Sequence, residues 1–262
     1  MSRCWLPQYM RDLIQTSITR FVRGYNSTTQ IETKWDDPIT GYASTHDPLF
    51  LQLKSAISTT HYMPNTLLPG SRTVIAYFIP FTTSTVESNR HGRRCSREWA
   101  IAYLETNQLI KDLNHWLIHI IEQLGFAATA LPPTHNFDSQ RLLSDWSHKH
   151  VAFIAGLGTF GLHHMLITEK GCCGRLGSLI TTAEITPSIK PENSFCLFYA
   201  DGSCQQCVEH CVFGALNVNA INRHRCYDVC LSNAEMYSEL GLADVCGKCM
   251  CVTPCSFTNP VR

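Results

Sequence analysis

The chain has 262 residues, a mass of 29.5 kDa, 44% apolar residues and a formal net charge of +0. This length suits one sizeable core plus a small appended module, and the charge lacks the basic excess typical of nucleic-acid-binding proteins. The N-terminus mixes charges and a proline into its apolar residues, and 18 consecutive apolar residues occur nowhere. We therefore expect a cytoplasmic protein without a secretory signal or a membrane span.

The first half of the chain contains two clear secondary-structure signals. After a short helix and the turn-rich stretch WDDPITGYASTHDP, the β-branched and aromatic run TVIAYFIPF predicts a buried, central strand. Between Ser96 and Leu124 apolar residues recur at helical spacing, and Gly125 follows as a stop signal. We predict a long helix over that segment.

The next elements lead to a fold class. FAATAL is a candidate strand, and residues 139 to 154 predict a helix that runs into the glycine loop AGLGTFG. A strand around MLIT and another over RLGSLITTAEI, joined by the turn EKG, suggest a β-hairpin. Because helices and strands do not strictly alternate, the pattern favours an α+β fold over a doubly wound parallel sheet.

The cysteines are concentrated after a change of composition near residue 190. Ten of the 14 lie between Cys196 and Cys255, and Pro187 and Pro191 mark a linker before them. We therefore predict two domains, residues 1–190 and residues 191–262. In a reducing compartment so many thiols are more typical of metal ligands than of disulfides.

The spacing of these cysteines indicates two cubane iron-sulfur clusters. Cys204, Cys207 and Cys211 match the last three ligands of the ferredoxin run, in which the fourth ligand belongs to the other cluster. Asp201 stands at the first ligand position, and Cys196 can replace it through a loop. The crossing rule then predicts two [4Fe-4S] clusters with these ligands: Cys196, Cys204, Cys207 and Cys255 for the first, and Cys211, Cys226, Cys246 and Cys249 for the second.

Several alternatives to this assignment remain open. Cys230 competes with Cys226 as a ligand, whereas Cys251 is expected to be a bystander because C-x1-C rarely lets both sulfurs face one cluster. Two zinc sites are the main alternative to clusters, although zinc does not favour the C-x2-C-x3-C triplet. A disulfide scaffold would require an oxidising compartment.

The glycine loop becomes informative in combination with its neighbours. Alone, AGLGTFG lacks a preceding strand and a following acidic residue, so a Rossmann dinucleotide site is not expected. Three blocks occur in order, namely LLPGSRTVIAYFIPF, KHVAFIAGLGTFGLHHMLITEKGCCGRLGSLIT and the cysteine module. In these blocks the chain resembles the epoxyqueuosine reductase family and the core of the reductive dehalogenases, over roughly residues 40 to 260.

The resemblance implies a nitroreductase-like domain that binds cobalamin, followed by a ferredoxin-like domain with the two clusters. An external low-potential donor such as ferredoxin or flavodoxin would supply electrons, which pass through the clusters to the cobalt. By this likeness the cobalamin-binding residues are Gly156, Leu157, Gly158, Phe160, Gly161, Arg175, Gly177 and Ser178.

The chain departs from the family in its proton donor. The family's acidic residue in a V-D-x-x-P stretch is not preserved, and Asp138 is the nearest substitute. His148 and His150 are the alternative proton donors, because histidine titrates near neutrality. Tyr103 and Arg97 are weaker candidates.

The substrate is expected to differ from that of the family's tRNA-reducing members. Those members have a helical-repeat region after the cysteines, whereas this sequence ends at Arg262 and has no net charge. These features favour a small-molecule or protein-bound substrate over tRNA. The leading hypothesis is a cobalamin-dependent iron-sulfur reductase, and the alternative is an electron-transfer protein that reduces a corrinoid or other partner protein. A third possibility is that the first domain has lost cobalamin and binds flavin or nothing.

Overall fold

The computed structural model describes residues 6–28 and 30–261. The helices over these ranges are α1 (Leu6–Asn26), α2 (Leu49–Ala56), α3 (Pro64–Leu67), α4 (Thr83–Ser88), α5 (Arg97–Gln123), α6 (His148–Ile154), α7 (Leu197–Asp201), α8 (Gln206–Glu209) and α9 (Arg223–Met236), with a 3-10 turn at Ser238–Leu240. The strands are β1 (Ile39–Ser44), β2 (Thr73–Pro80), β3 (Ala128–Ala130), β4 (Phe137–Asp138), β5 (Leu143–Ser144), β6 (Gly158–Phe160), β7 (Leu166–Thr168) and β8 (Gly174–Thr181).

The central strand of the main sheet is β2, and all eight of its residues are buried. It pairs antiparallel with β1 on one side and with β8 on the other, in the order β1-β2-β8-β3. Burial on both faces explains why its sequence is a nearly continuous apolar run. The predicted central strand, the candidate strand in FAATAL and the mixed α and β character are confirmed, and the sheet is antiparallel throughout.

The long helix α5 covers one face of this sheet. The hydroxyl of Ser96 accepts a hydrogen bond of 3.1 Å from the backbone N–H of Trp99 and caps the first turn. The buried side chains of Leu109, Leu113 and Leu117 follow at helical spacing. After the helix Gly125 adopts a φ of +84°, so the predicted start and stop of this helix are both confirmed.

Two features of the first 70 residues differ from the expectation. The N-terminal helix is long rather than short, and Met10, Ile14, Ile18 and Val22 form its buried stripe. In addition, β1 lies inside the stretch predicted to be turn-rich. It pairs with β2 over its whole length, so tertiary pairing outweighs the local turn preference of these residues.

The helix predicted over residues 139 to 154 is wrong for its first half. Only His148–Ile154 is helical, and the preceding residues form the short β4–β5 hairpin. The carboxylate of Asp138 accepts hydrogen bonds from the backbone N–H groups of Gln140 and Arg141, at 2.9 and 2.8 Å. Such a side-chain bond stabilises a turn in competition with a helix.

The hairpin predicted between MLIT and RLGSLITTAEI is also wrong. The strand β7 pairs with β6, whereas β8 joins the main sheet between β2 and β3. The close pairing depends on Gly158, where an added Cβ would lie 1.9 Å from the backbone oxygen of Ile167. After β7 the chain turns, and the backbone N–H of Cys172 in this turn donates a hydrogen bond of 2.9 Å to the backbone oxygen of Cys255.

The hydrophobic core of the sheet continues into the cysteine-rich segment. One buried cluster includes Trp99 and Cys172 from the first part of the chain together with Cys196, Cys207 and Cys255 from the second. Among the residues that the structure describes, no helix combines the length and the apolar character needed to cross a membrane.

Candidate functional site

The thiols of the first cysteine group meet at one small cavity. Cys196 precedes α7, Cys207 lies in α8, and Cys204 and Cys255 come from the adjoining loops. All four line the cavity, with Leu162, His163, Leu197, Thr253, Pro254 and Pro260 as the other lining residues. Burial raises the pKa of Cys207 to about 12, and the charges of the three other thiolates add to this effect. The chain therefore brings four sulfur donors together here.

The second group surrounds a separate cavity of about 290 Å³, which Cys211, Cys226, Cys246 and Cys249 line together with Cys230. Burial is the main cause that raises the pKa of Cys246, and the charges of Cys226 and Cys211 raise it further. Cys249 interacts electrostatically with the other three members of its group. It also interacts with Cys207, so the two groups adjoin.

Cys226 and Cys230 occupy successive turns of α9, and a hydrogen bond joins their sulfurs. This bond lowers the pKa of Cys226 to about 7 and raises that of Cys230. Cys249 interacts with Cys226, whereas Cys246 interacts with both Cys226 and Cys230, so Cys226 as the ligand stays a prediction. Cys251 lines neither cavity, and its sulfur accepts a hydrogen bond of 3.4 Å from the Asn89 amide.

A larger cleft, of about 670 Å³, opens beside the second group. Cys226 and Cys230 line both this cleft and the cavity of the second group. On its other sides lie residues of the β4–β5 hairpin, of the glycine loop and of β8. Ligand sites typically have volumes of roughly 300 to 1,000 Å³, so the cleft is large enough for a cofactor or a substrate next to the cysteines.

A buried polar network forms part of the cleft wall. The Arg175 guanidinium lies 4.5 Å from the centre of the Tyr103 ring and donates a hydrogen bond of 2.7 Å to Asn107. The Tyr103 hydroxyl donates to the Asp244 carboxylate at 2.6 Å, and that side chain is only 4% exposed. Burial raises the pKa of Tyr103 to about 12, so the phenol keeps its proton at neutral pH.

Three of the residues that the family resemblance assigns to the cofactor line this cleft, namely Phe160, Gly161 and Arg175. Gly156, Leu157, Gly158, Gly177 and Ser178 do not line it. At Gly156, Gly158 and Gly177 the space that a Cβ would take is already filled by the protein. A Cβ at Gly156 would lie 2.8 Å from the backbone oxygen of Ile189, and one at Gly158 would lie 1.9 Å from that of Ile167. A Cβ at Gly177 would lie 2.3 Å from the Tyr77 ring. These glycines permit close packing within the fold, and their role in cofactor binding stays a prediction.

His148 lies outside the cleft and is fully engaged. Its Nε2 donates to the backbone oxygen of Pro132 at 3.0 Å, so its Nδ1 accepts from the Ser178 hydroxyl at 2.9 Å. The Ser178 oxygen also accepts a hydrogen bond from Trp146. Burial lowers the pKa of His148 to about 4, and the ring is therefore a neutral structural group.

The two other predicted proton donors have different positions. His150 lines the cleft, stacks at 4.7 Å against Phe160 and forms a hydrogen bond of 2.7 Å with the Ser147 hydroxyl. Burial lowers its pKa to about 3. Asp138 is exposed outside the cleft and forms an ion pair of 3.3 Å with Arg141. The backbone N–H of Arg141 contributes most to the lowered pKa of that carboxyl.

Sequence reasoning missed several residues around these sites. Asp244 and Lys149 line the cleft, and His163 lies between the glycine loop and Cys255. The ligand atoms of His163, Cys172 and Cys255 all lie within 4.8 Å of one another. The adjacent pairs His163-His164 and Cys172-Cys173, directly after the glycine loop, are the only sequence signals of this third group.

The bond from Tyr103 to Asp244 leads to a prediction about stability. Tyr103→Phe is expected to lower the free energy of unfolding by roughly 2 to 3 kcal/mol, because a buried carboxylate loses its shortest donor. The matched control is Tyr77→Phe, which removes a buried hydroxyl bonded at 2.8 Å to the neutral Asn114 amide and is expected to cost about 1 kcal/mol. Urea unfolding of both variants measures the difference, and equal losses would contradict the assigned role of the charge.

Comparisons with known proteins agree in part with the resemblance seen in the sequence. No protein-family model matches the chain, and no curated protein is similar to it. Among solved structures, epoxyqueuosine reductase with a tRNA-Tyr epoxyqueuosine-modified stem loop is 19% identical with a TM-score of 0.54, covering 92% of this chain and 66% of that one. The epoxyqueuosine reductase from Streptococcus thermophilus is 16% identical with a TM-score of 0.53, covering 95% of this chain and 68% of that one.

The second type of neighbour is the catabolic reductive dehalogenase NpRdhA in complex with 3-bromo-4-hydroxybenzoic acid. It is 15% identical with a TM-score of 0.54, and the match covers 85% of this chain and 30% of that one. The present chain thus spans about two thirds of the length of the epoxyqueuosine reductases and less than one third of the dehalogenase. At these identities the likeness concerns the fold, and this chain has the fold that epoxyqueuosine reductases and this reductive dehalogenase share.

Proposed function

We propose that the chain is a cobalamin-dependent iron-sulfur reductase with two [4Fe-4S] clusters. The observation that carries the proposal is the meeting of four cysteines around one cavity and of five, Cys230 included, around the other, so that each cavity has at least the four thiols that a cluster needs. Four thiolates per cluster is the ligand set that cubane clusters require. In this proposal residues 191–262 form a ferredoxin-like domain, and residues 1–190 form a nitroreductase-like domain.

The order of the sites supports a path for electrons. Cys249 of the second group interacts with Cys207 of the first, and Cys226 of the second group lines the cleft. Electrons from an external low-potential donor, such as ferredoxin or flavodoxin, would therefore enter at the first group and reach the cleft through the second. A carrier that only passes electrons to a partner would not need a lined cleft beside its clusters.

The residues of the cleft fit a large planar cofactor. Phe160 supplies an apolar edge, Gly161 adds no side chain of its own to the wall, and Arg175 supplies a cation from β8. Cobalamin, when bound, supplies a low-potential cobalt centre for the reductive cleavage of a substrate bond. The protein's own contribution is to hold this cofactor next to the second cysteine group and to limit the access of water.

A proton donor for the reaction is available in the same cleft. Tyr103 holds a proton on its hydroxyl oxygen and donates a hydrogen bond with it to Asp244, and a substrate in the cleft would have to take the place of Asp244 as the acceptor of this hydrogen. Arg175, above the Tyr103 ring, would stabilise the phenolate after proton transfer. Tyr103 therefore replaces Asp138 and His148 as the proposed donor, because those two residues lie outside the cleft, whereas His150 lines it as a neutral ring.

The experiment that tests the proposal is anaerobic reconstitution with iron and sulfide, followed by titration with cob(II)alamin. Iron and sulfide analysis together with ultraviolet-visible and EPR spectra are recorded. About eight irons per chain and a base-off cob(II)alamin signal are the expected result. Eight irons without cobalamin binding would favour the electron-transfer alternative or a flavin protein, and stoichiometric zinc without sulfide would overturn the proposal.

A matched pair of phenylalanines locates the cofactor. Phe160→Ala is expected to weaken cobalamin binding at least tenfold, or about 1.4 kcal/mol, because this ring lines the cleft. Phe153 packs against Phe160 at 5.6 Å but does not line the cleft, so Phe153→Ala is expected to leave the affinity within about threefold. Equal losses in both variants, measured by spectroscopic titration, would place the cofactor elsewhere.

The substrate is proposed only as a class with a reducible bond. The absence of a net positive charge on this chain favours a small molecule or a protein-bound group over tRNA as the substrate. However, one of the similar solved structures is in complex with a tRNA stem loop. An epoxyqueuosine-containing stem loop therefore belongs among the first substrates to be assayed. Single-turnover assays with the reduced, loaded protein compare it with halogenated aromatic compounds of the kind bound in the dehalogenase complex.

A further inference from the structure

The sulfur of Cys255 has an unusual set of polar neighbours. The Nε2 atom of His163 lies 3.5 Å from it, and the Thr253 hydroxyl lies 3.1 Å from it. The Cys172 thiol is a third neighbour, in hydrogen-bonding contact with this sulfur and with that of Cys173; a Cys255 thiolate would be the stronger acceptor for its one hydrogen. All four side chains are buried, so water does not compete for these contacts.

The tautomer of His163 follows from its second contact. The backbone N–H of Met165 donates a hydrogen bond of 3.1 Å to Nδ1, so this nitrogen is an acceptor and carries no hydrogen. In the neutral ring the hydrogen then resides on Nε2, which faces Cys255. His163 is thus fixed as a donor to the sulfur.

Cys172 contacts Cys255 through its backbone as well as through its side chain. The backbone N–H of Cys172 donates a hydrogen bond of 2.9 Å to the backbone oxygen of Cys255, and the Cys172 side chain does not line the cavity of the first group. The neighbouring Cys173 is equally buried, but its sulfur is directed to the backbone oxygen of Met250 at 3.4 Å. Only one member of the cysteine pair can therefore donate to Cys255.

The Thr253 hydroxyl has one hydrogen and several acceptors. It donates to the backbone oxygen of Met250 at 3.1 Å, in addition to its contact with Cys255. Its hydrogen is therefore already engaged, and His163 and Cys172 are the two side-chain donors for the Cys255 sulfur. In the second group, Cys211 accepts a hydrogen bond of 3.3 Å from the backbone N–H of Leu216.

We propose that His163 and Cys172 donate hydrogen bonds to the Cys255 thiolate and raise the reduction potential of the first cluster. Hydrogen bonds to ligand sulfur withdraw electron density and favour the reduced, more negative cluster. Both residues are positioning residues, since they act on the cluster through its ligand. The inference rests on the proposed cluster at the first cysteine group, and it makes that cluster the one that an external donor reduces first.

The test is a potentiometric titration, followed by EPR, of the reconstituted protein without cobalamin. Cys172→Ala and His163→Met are each expected to shift one of the two cluster potentials to a lower value and to leave the other in place. Iron content stays at about eight per chain. Cys95→Ala is the matched control, because it also removes a buried thiol but one that lines neither cavity, and its potentials are expected to be unshifted. His163→Gln, whose amide can donate, is expected to recover part of the shift.

Two results would overturn the inference without overturning the proposal that the unmodified protein binds two clusters. Unchanged potentials in both Cys172→Ala and His163→Met would show that these donors do not act on the cluster. A drop to about four irons would show that the replaced residue is a ligand. If the unmodified protein assembles no cluster at the first group, the proposed function fails and this inference fails with it.

Discussion

Replacing Cys207 by alanine is expected to remove about four of the eight irons of the reconstituted protein, because a cubane cluster needs four thiolates. Cys207 lies at the centre of the first group, where it interacts with Cys196, Cys204 and Cys255. The second group keeps its full ligand set. The measurement is iron and acid-labile sulfide per chain, together with the EPR spectrum of the reduced protein, in which one of two signals disappears.

The control for this loss is Cys230→Ala, which also removes a buried thiol near the clusters. Cys230 lines the second cavity, but the predicted ligand set has Cys226 in its place, so the variant is expected to keep all the iron. If Cys230→Ala loses half the iron, Cys230 is a ligand and the assignment of the second group changes. If Cys207→Ala keeps eight irons, the first group does not hold a cluster.

Replacing Gly158 by alanine is expected to destabilise the fold by about 3 kcal/mol or more. The added Cβ would lie 1.9 Å from the backbone oxygen of Ile167, so β6 and β7 would have to move apart. A flexible side chain could turn away, but a strand backbone cannot do so without losing its pairing. The measurement is thermal unfolding, with a fall in Tm of roughly 6 to 12 °C for a chain of this size.

Gly24→Ala serves as the matched control for this substitution. Gly24 lies in α1, and no atom lies within 4 Å of the position that its Cβ would take. Alanine is the better helix former, so this variant is expected to be as stable as the parent protein or more stable by up to about 1 kcal/mol. A similar loss in both variants would show that the effect does not arise from the contact of β6 with β7.

The elements predicted well from the sequence are those that local pattern determines. The strand β2 is buried on both faces, and its run of apolar residues is therefore continuous. The helix α5 has a capping serine, an apolar stripe and a terminal glycine. Cysteine spacing likewise indicated which thiols would lie close together, because short loops restrict where C-x2-C and C-x3-C sulfurs can be.

The errors have a common physical cause, which is dependence on distant parts of the chain. The strand β1 forms because β2 is available to pair with it, although its residues favour turns. Asp138 is the exception, because hydrogen bonds from the nearby backbone N–H groups of Gln140 and Arg141 hold it in an exposed turn. The contact of His163 with Cys255 joins residues 92 positions apart, and no local pattern could indicate it.

The contact of Cys255 with the turn at residues 171 to 173 has a consequence for how the chain is held together. A cluster bound by Cys207 and Cys255 would close a loop of 48 residues and act as an inorganic cross-link. By the chain-entropy relation for cross-links, closing such a loop in the unfolded chain is worth roughly 4 kcal/mol. Oxidative loss of that cluster would therefore loosen the C-terminal segment, exposing it to proteolysis before the sheet itself unfolds.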